Sequence, residues 1–291
     1  MIPMTQESND FRWYLLRSKI QEGNIKKAFE IFRENGIEPI LIKGWAAALY
    51  YPQNNDRIFS DIDLCVDPNQ FQSARLIAER EDVKRLNVDL HNGFRHFDTV
   101  GWENLFDNTE LKKIEDTEIR VLRIEDHLRI LCVHWLTDGG AYKEKLWDVY
   151  YAVKNRPETF DWDRCLGIIS EKRRKWIVFT IGLAAKYLDL DLNETPIEQE
   201  AKDLPKWLTA TVEREWKSEI KLKPLHVCLN DKKEFIRQIW IRLPPNPIQS
   251  TVELEGRFDS GRPRIFYQLG AIFMRIIPSF RRIKGALQNR T

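Results

Sequence analysis

The stretch from Ser60 to Val66 constrains this chain most, because Ile62, Leu64 and Val66 alternate with Asp61, Asp63 and Cys65 in the two-residue period of a strand. That alternation sends both aspartates to one face, about 6.6 Å apart along the backbone. A solvent-facing polar strand is the plainer reading and a common one. Aspartate is nevertheless disfavoured inside strands, and two on one face repel unless a cation neutralises them. The segment from Leu86 to Leu90 alternates again, with Leu86, Val88 and Leu90 on one face and Asn87, Asp89 and His91 on the other. A third carboxylate on a neighbouring strand would complete an oxygen donor set suited to Mg2+ or Mn2+, and pairs of such ions drive in-line displacement at phosphorus.

The surrounding pattern supplies a frame for these strands. Residues 11–35 read as helix, with Gly23-Asn24 as a break that makes two helices before a strand from Pro39 to Ile42. Lys43-Gly44 then forms a strand-to-helix turn leading into a short helix from Trp45 to Tyr50. A glycine at such a turn lets a phosphate approach the backbone amides, and a helix N-terminus favours anions. A Lys-Gly pair alone is more often an ordinary turn. Asp67 and Pro68 read as the N-cap and first residue of a helix running to about Arg80.

From Ile124 the pattern changes to long helices, expected near 124–135, 145–154, 162–170, 174–188, 204–220 and 232–243. Pro244-Pro245-Asn246-Pro247 closes the last of them. The expected fold class is therefore α+β. A strand-rich core domain spans 1–123, a helical domain spans 124–243, and a Pro-rich linker with a basic amphipathic tail spans 244–291.

Composition narrows the function classes. Hydrophobic residues at 43% and charged residues at 31% fit a soluble globular protein rather than a disordered, fibrous or membrane-embedded one. The cysteines, Cys65, Cys132, Cys165 and Cys228, lack the spacing of a zinc site or a disulfide framework, and four buried thiols in a reducing cytoplasm is the expectation. There is no signal-peptide pattern. The most apolar run, from Ile265 to Ile277, is too short to span a bilayer and contains Arg275.

Formal charge is +2 but uneven, with eight basic residues against the single acid Asp259 from Arg257 onward. Phe266, Leu269, Ile272, Phe273, Ile276 and Ile277 recur at helical spacing before Arg281-Arg282-Ile283-Lys284. Such a segment either makes a weak membrane-surface contact or packs its apolar face on the body, which is the commoner fate.

Three motifs in order then carry a resemblance: Leu41-Ile42-Lys43-Gly44-Trp45 with Ala46-Ala47-Ala48-Leu49-Tyr50, Arg57-Ile58-Phe59-Ser60-Asp61-Ile62-Asp63-Leu64, and Val88-Asp89-Leu90-His91. Together they resemble the uncharacterised bacterial nucleotidyltransferase family of the DNA polymerase beta superfamily. Glu125-Asp126-His127-Leu128, His134 and Lys145-Leu146-Trp147-Asp148-Val149 resemble the family's helical signature.

The resemblance implies a polymerase-beta-like core with Asp61 and Asp63 as paired metal ligands and Asp89 as the third carboxylate. Gly44 would open the nucleotide-binding helix. Many superfamily members have Gly-Ser at this turn, so Lys43 either replaces the serine's phosphate contact with a charge or points into solvent. Arg57 either contacts phosphate or pairs with an aspartate to hold its loop. His91 would orient a carboxylate, touch the acceptor or carry a proton, and orientation is the favoured reading. His134 and Asp148 either face a cleft or form a satisfied buried pair. Most tryptophans are expected in the core, with one able to stack on a base.

The implied activity is metal-dependent transfer of a nucleoside monophosphate from an NTP such as ATP to a hydroxyl on a protein, RNA, sugar or small molecule. A toxin-like tRNA nucleotidyltransferase is a close variant. A catalytically silent nucleotide-binding module and a membrane-peripheral adaptor are the alternatives from other classes.

Overall fold

One long helix, α1 (Gln6–Glu34), runs through Gly23 without the expected break. An interior glycine costs about 1 kcal/mol, which is small beside the burial of Ile25, Ala28, Phe29 and Phe32 along one helix face. The computed structural model describes residues 6–52, 57, 59–94, 97–218, 223, 225–228 and 231–275, with only the backbone for 6–15.

After α1 come β1 (Ile40–Leu41), α2 (Trp45–Ala48), β2 (Ile62–Val66), α3 (Phe71–Ala78), α4 (Glu81–Lys84) and β3 (Val88–Asn92). The helix expected from Pro68 begins at Phe71, because the Asp67 carboxylate accepts the Asn69 amide and holds residues 68–70 as a turn. Next are α5 (Trp102–Asp107) and a hairpin, β4 (Thr109–Ile114) and β5 (Thr117–Leu122), closed by Glu115 in the left-handed region at φ 54°. The five strands form one mixed sheet in the order β3-β2-β1-β5-β4, parallel at β2/β3 and β1/β5 and antiparallel at β1/β2 and β4/β5. With its flanking helices and the helical region that follows, this is the expected α+β fold, with a five-stranded mixed sheet.

The two faces of β2 enter different clusters. Ile62, Leu64 and Val66 pack with α1 and α3 residues such as Phe29, Phe32 and Ala74, while Cys65 on the opposite face joins Ile40, Ile42, Phe94 and Phe97. Asp63 has the parity of Cys65, so it lies on the second face.

The helical region contains α6 (Ile124–Thr137), α7 (Leu146–Lys154), α8 (Glu171–Leu188), α9 (Glu198–Lys202), α10 (Lys206–Lys217), α11 (Lys232–Ile241) and α12 (Pro247–Glu253). A single π-helical turn, Asp163–Gly167, stands where a helix over 162–170 was expected. By internal contacts the chain forms two compact units, residues 1–131 with 147–170, and residues 132–146 with 171–291.

The second unit is built on α8, whose Trp176, Ile177, Phe179, Ile181 and Leu183 are buried. Pro247 starts α12 as its first residue, and the Asn246 side chain caps the amides of Ile248 and Gln249. Ile248, Val252 and Phe258 are buried in the same unit, and Trp176 Nε1 donates to the Gly256 carbonyl at 2.9 Å. A helix over 265–275 buries Ala271 and leaves Phe266, Leu269, Phe273 and Met274 exposed. Ile276, Ile277 and the basic run from Arg281 to Lys284 lie outside the described residues. All four cysteines are free and buried, and among the described residues no helix is long and apolar enough to cross a membrane.

Candidate functional site

The parallel register of β2 and β3 places Asp63 directly opposite Asp89, and Cys65 opposite His91. Because Val88 and Leu90 turn to the apolar cluster under the sheet, Asp89 and His91 share the opposite face with Asp63. His91 Nε2 lies 2.9 Å from Asp63 Oδ1 and 3.6 Å from Asp89 Oδ2. One ligand atom each from Asp63, Asp89 and His91 can be chosen so that all three lie within 4.8 Å of one another. Asp63 is buried and Asp89 is exposed, so the cluster opens to solvent on the β3 side.

Asp61 sits at the bend just before β2, with its side chain exposed. The strand expected over Ser60 to Val66 therefore begins two residues late, at Ile62. Ser60 explains this, since its carbonyl accepts the side chains of Gln21 at 3.0 Å and Asn87 at 2.8 Å instead of joining the ladder.

Lys43 turns toward the carboxylates. Its Nζ lies 2.5 Å from Asp63 Oδ1 and 5.4 Å from the centroid of the Phe97 ring, with the side chain largely buried. Burial opposes ionisation of Asp63, but the hydrogen bond from His91 and the charge of Lys43 more than offset it, holding the carboxyl below the usual carboxylate range. Asp63 is thus an anion with a built-in counter-ion. A hard, mostly oxygen donor set that already seats one cation suits a divalent metal ion.

Gly44 follows at φ 59°, ψ −115°, a conformation that side-chain-bearing residues avoid. A Cβ there would stand 3.5 Å from the Asp61 carbonyl oxygen and from Phe59, so the turn and the start of β2 lie side by side. Arg57 forms an ion pair with Asp148 and also feels the charge of Asp63. Its Nε and Nη2 donate to the two carboxylate oxygens of Asp148 at 2.5 and 2.6 Å, and its Nη1 donates to the Gly44 carbonyl at 3.1 Å.

Several supporting residues were not singled out from sequence. The Tyr51 hydroxyl donates to Asp148 at 2.7 Å, and Asn155 Nδ2 donates to the Tyr50 carbonyl at 2.6 Å. His127 is buried with Nε2 2.7 Å from the Ile42 carbonyl and Nδ1 2.7 Å from the Tyr50 hydroxyl. A carbonyl only accepts, so Nε2 carries the hydrogen and Nδ1 accepts from Tyr50. The segment from Ile42 to Tyr51 is thereby fixed at both ends by residues far along the chain. His127 falls within the helical stretch Glu125-Asp126-His127-Leu128 that carried the resemblance, which was the signal for it.

Two expectations from the helical region separate. Asp148 pairs with Arg57 in the first unit, whereas His134 Nδ1 lies 4.0 Å from Asp138 in the second. Trp135 and Trp176 are core residues, and Trp147 and Trp162 are half-buried.

No curated protein and no solved structure matches the chain. Residues 8–100, which include the Gly44 turn, Asp61, Asp63 and Asp89, match the family model described as an uncharacterised nucleotidyltransferase.

Proposed function

We propose that this protein moves a nucleoside monophosphate from an NTP to a hydroxyl acceptor and releases pyrophosphate, with Asp61, Asp63 and Asp89 serving a divalent metal ion, Mg2+ or Mn2+. The observation that carries this reading is the direct cross-strand pairing of Asp63 with Asp89, within the segment that matches the nucleotidyltransferase family. When bound, the metal supplies charge neutralisation at phosphate oxygens and activation of the attacking hydroxyl.

The chain's own groups have distinct parts in this reading. Asp63 is the buried anchor of the cation. Asp89, whose side chain is 61% exposed, is the carboxylate open to the proton of an acceptor hydroxyl. Lys43 carries a positive charge beside Asp63 and serves a phosphate oxygen, as the Gly44 turn admits phosphate close to backbone amides. Arg57 and Asp148 keep that turn in place.

Incubation of the chain with each α-labelled NTP, Mg2+ or Mn2+, and cell extract tests the proposal. Label should reach a protein, RNA or metabolite with wild type and not with Asp63→Ala or Asp89→Ala. Equal labelling by the variants would remove both aspartates from the chemistry.

A second reading, contact of the C-terminal helix with a lipid surface, is favoured by the outward Phe266 and Phe273, which are 53% and 73% exposed. Co-sedimentation with anionic vesicles, lost in Phe266→Ser/Phe273→Ser, would support it, and absence of co-sedimentation would dismiss it.

A further inference from the structure

We infer that His91 is a nitrogen ligand of the cation held by Asp63 and Asp89, and that it biases the site toward first-row transition divalent ions such as Mn2+ over Mg2+. This rests on the nucleotidyl-transfer reading of the same cluster and adds the metal's identity to it.

The geometry makes His91 more than a neighbour. It is two residues beyond Asp89 on β3, so its side chain is on the same face. The nitrogen turned to the carboxylates, Nε2, lies 2.9 Å from an oxygen of one and 3.6 Å from an oxygen of the other, and binding an ion would displace to solvent the proton it donates to Asp63, leaving the hydrogen on Nδ1. Nε2 is therefore close to both carboxylates rather than to one alone. A histidine that merely oriented Asp63 would need one hydrogen bond and no approach to Asp89. The T-shaped contact with Phe97, with ring centroids 5.4 Å apart, restrains the imidazole from turning away.

Asp61 stands apart at the bend before β2, so the donors that already converge among the described residues are two carboxylate oxygens and one imidazole nitrogen, with Asp61 joining them only when an ion is bound. Mg2+ takes oxygen ligands and dehydrates reluctantly, whereas imidazole favours transition ions, with affinity rising from Mn2+ toward Cu2+.

Mn2+ alone, added to the full chain, is the probe. Pulsed electron paramagnetic resonance on wild type should show 14N coupling from a directly bonded imidazole, converted to the 15N pattern when histidine is 15N-labelled. In His91→Gln the coupling should vanish while Mn2+ still binds, and the preference for Mn2+ over Mg2+ in competition should fall by about tenfold.

Bound Mn2+ that depends on Asp63 but shows no histidine coupling overturns the inference and leaves the nucleotidyl-transfer reading standing. Coupling that persists in His91→Gln overturns it equally, by assigning the nitrogen to another histidine. A wild type that binds no Mn2+ overturns it as well, and if that protein also transfers no nucleotide the underlying reading falls with it. The wild-type spectrum decides the coupling without depending on any variant's folding.

Discussion

Arg57 holds Asp148 through two hydrogen bonds, at 2.5 and 2.6 Å, while its remaining nitrogen grips the carbonyl of Gly44. Residues 91 positions apart in sequence thus control the backbone of the turn proposed to receive phosphate. Both side chains are mostly buried, so removing one partner strands a charge at a cost of about 3 kcal/mol. Asp148→Ala should lower the urea midpoint accordingly and raise KM for NTP more than it lowers kcat. An unchanged midpoint would show that the pair is solvated in solution.

His127 predicts an acid sensitivity. Burial, partly countered by its bond to the Ile42 carbonyl, pushes its pKa from 6.5 down to about 4. The folded state therefore resists a proton that the unfolded state accepts. Stability is full above pH 6.5 and is lost as pH falls toward 4, by about 3 kcal/mol in total. Urea unfolding from pH 7.5 to 4.5 should show this loss, and His127→Gln, which also weakens the neutral-pH fold, should flatten the slope. An equal slope in the variant would place the sensitivity elsewhere.

Much of the site's frame was legible because a strand's two-residue period is unforgiving. Asp63 and Asp89 had to share faces with their i±2 neighbours, and β2/β3 pairing then aligned them. What the pattern could not supply was the point where pairing begins. Capture of the Ser60 carbonyl by Gln21 and Asn87 leaves Asp61 at a bend, and those are contacts over 39 and 27 residues. The hairpin of β4 and β5 was missed because its alternation is mixed with Lys112, Lys113 and Glu118, so it lacks a continuous apolar face. Lys43 showed no preference between phosphate and solvent from sequence, since its contact with Asp63 depends on the tertiary approach of β1 to β2. Gly23 misled in the opposite direction, because packing outweighed local propensity.

Lys43→Met should separate the built-in cation from a bound one. Removing the ammonium leaves Asp63 as a buried carboxylate with only His91 beside it, which destabilises the metal-free chain by about 2 kcal/mol or more. A divalent ion would restore the missing charge. The rise in Tm on adding Mn2+ should therefore be larger in Lys43→Met than in wild type; an equal or smaller rise would mean that Lys43 and the ion do not share Asp63.

In the second unit, Gly182→Ala should be among the more damaging small substitutions. A Cβ at this position of α8 would lie 2.2 Å from the Ala201 carbonyl oxygen, which belongs to the α9 backbone and cannot rotate away. Overpacking of this kind costs about 1–3 kcal/mol, and thermal unfolding of the variant should begin at a correspondingly lower temperature. A Tm equal to wild type would show that α9 gives way freely.

Nucleotidyl transfer differs from phosphoryl transfer and from simple nucleotide binding in where each phosphate of the NTP ends up. Wild-type chain supplied in parallel with α-labelled and γ-labelled ATP, a divalent metal and cell extract should leave the α-label on an acceptor and release the γ-label as pyrophosphate. Transfer of the γ-label to an acceptor, or retention of both labels on intact nucleotide, would contradict it.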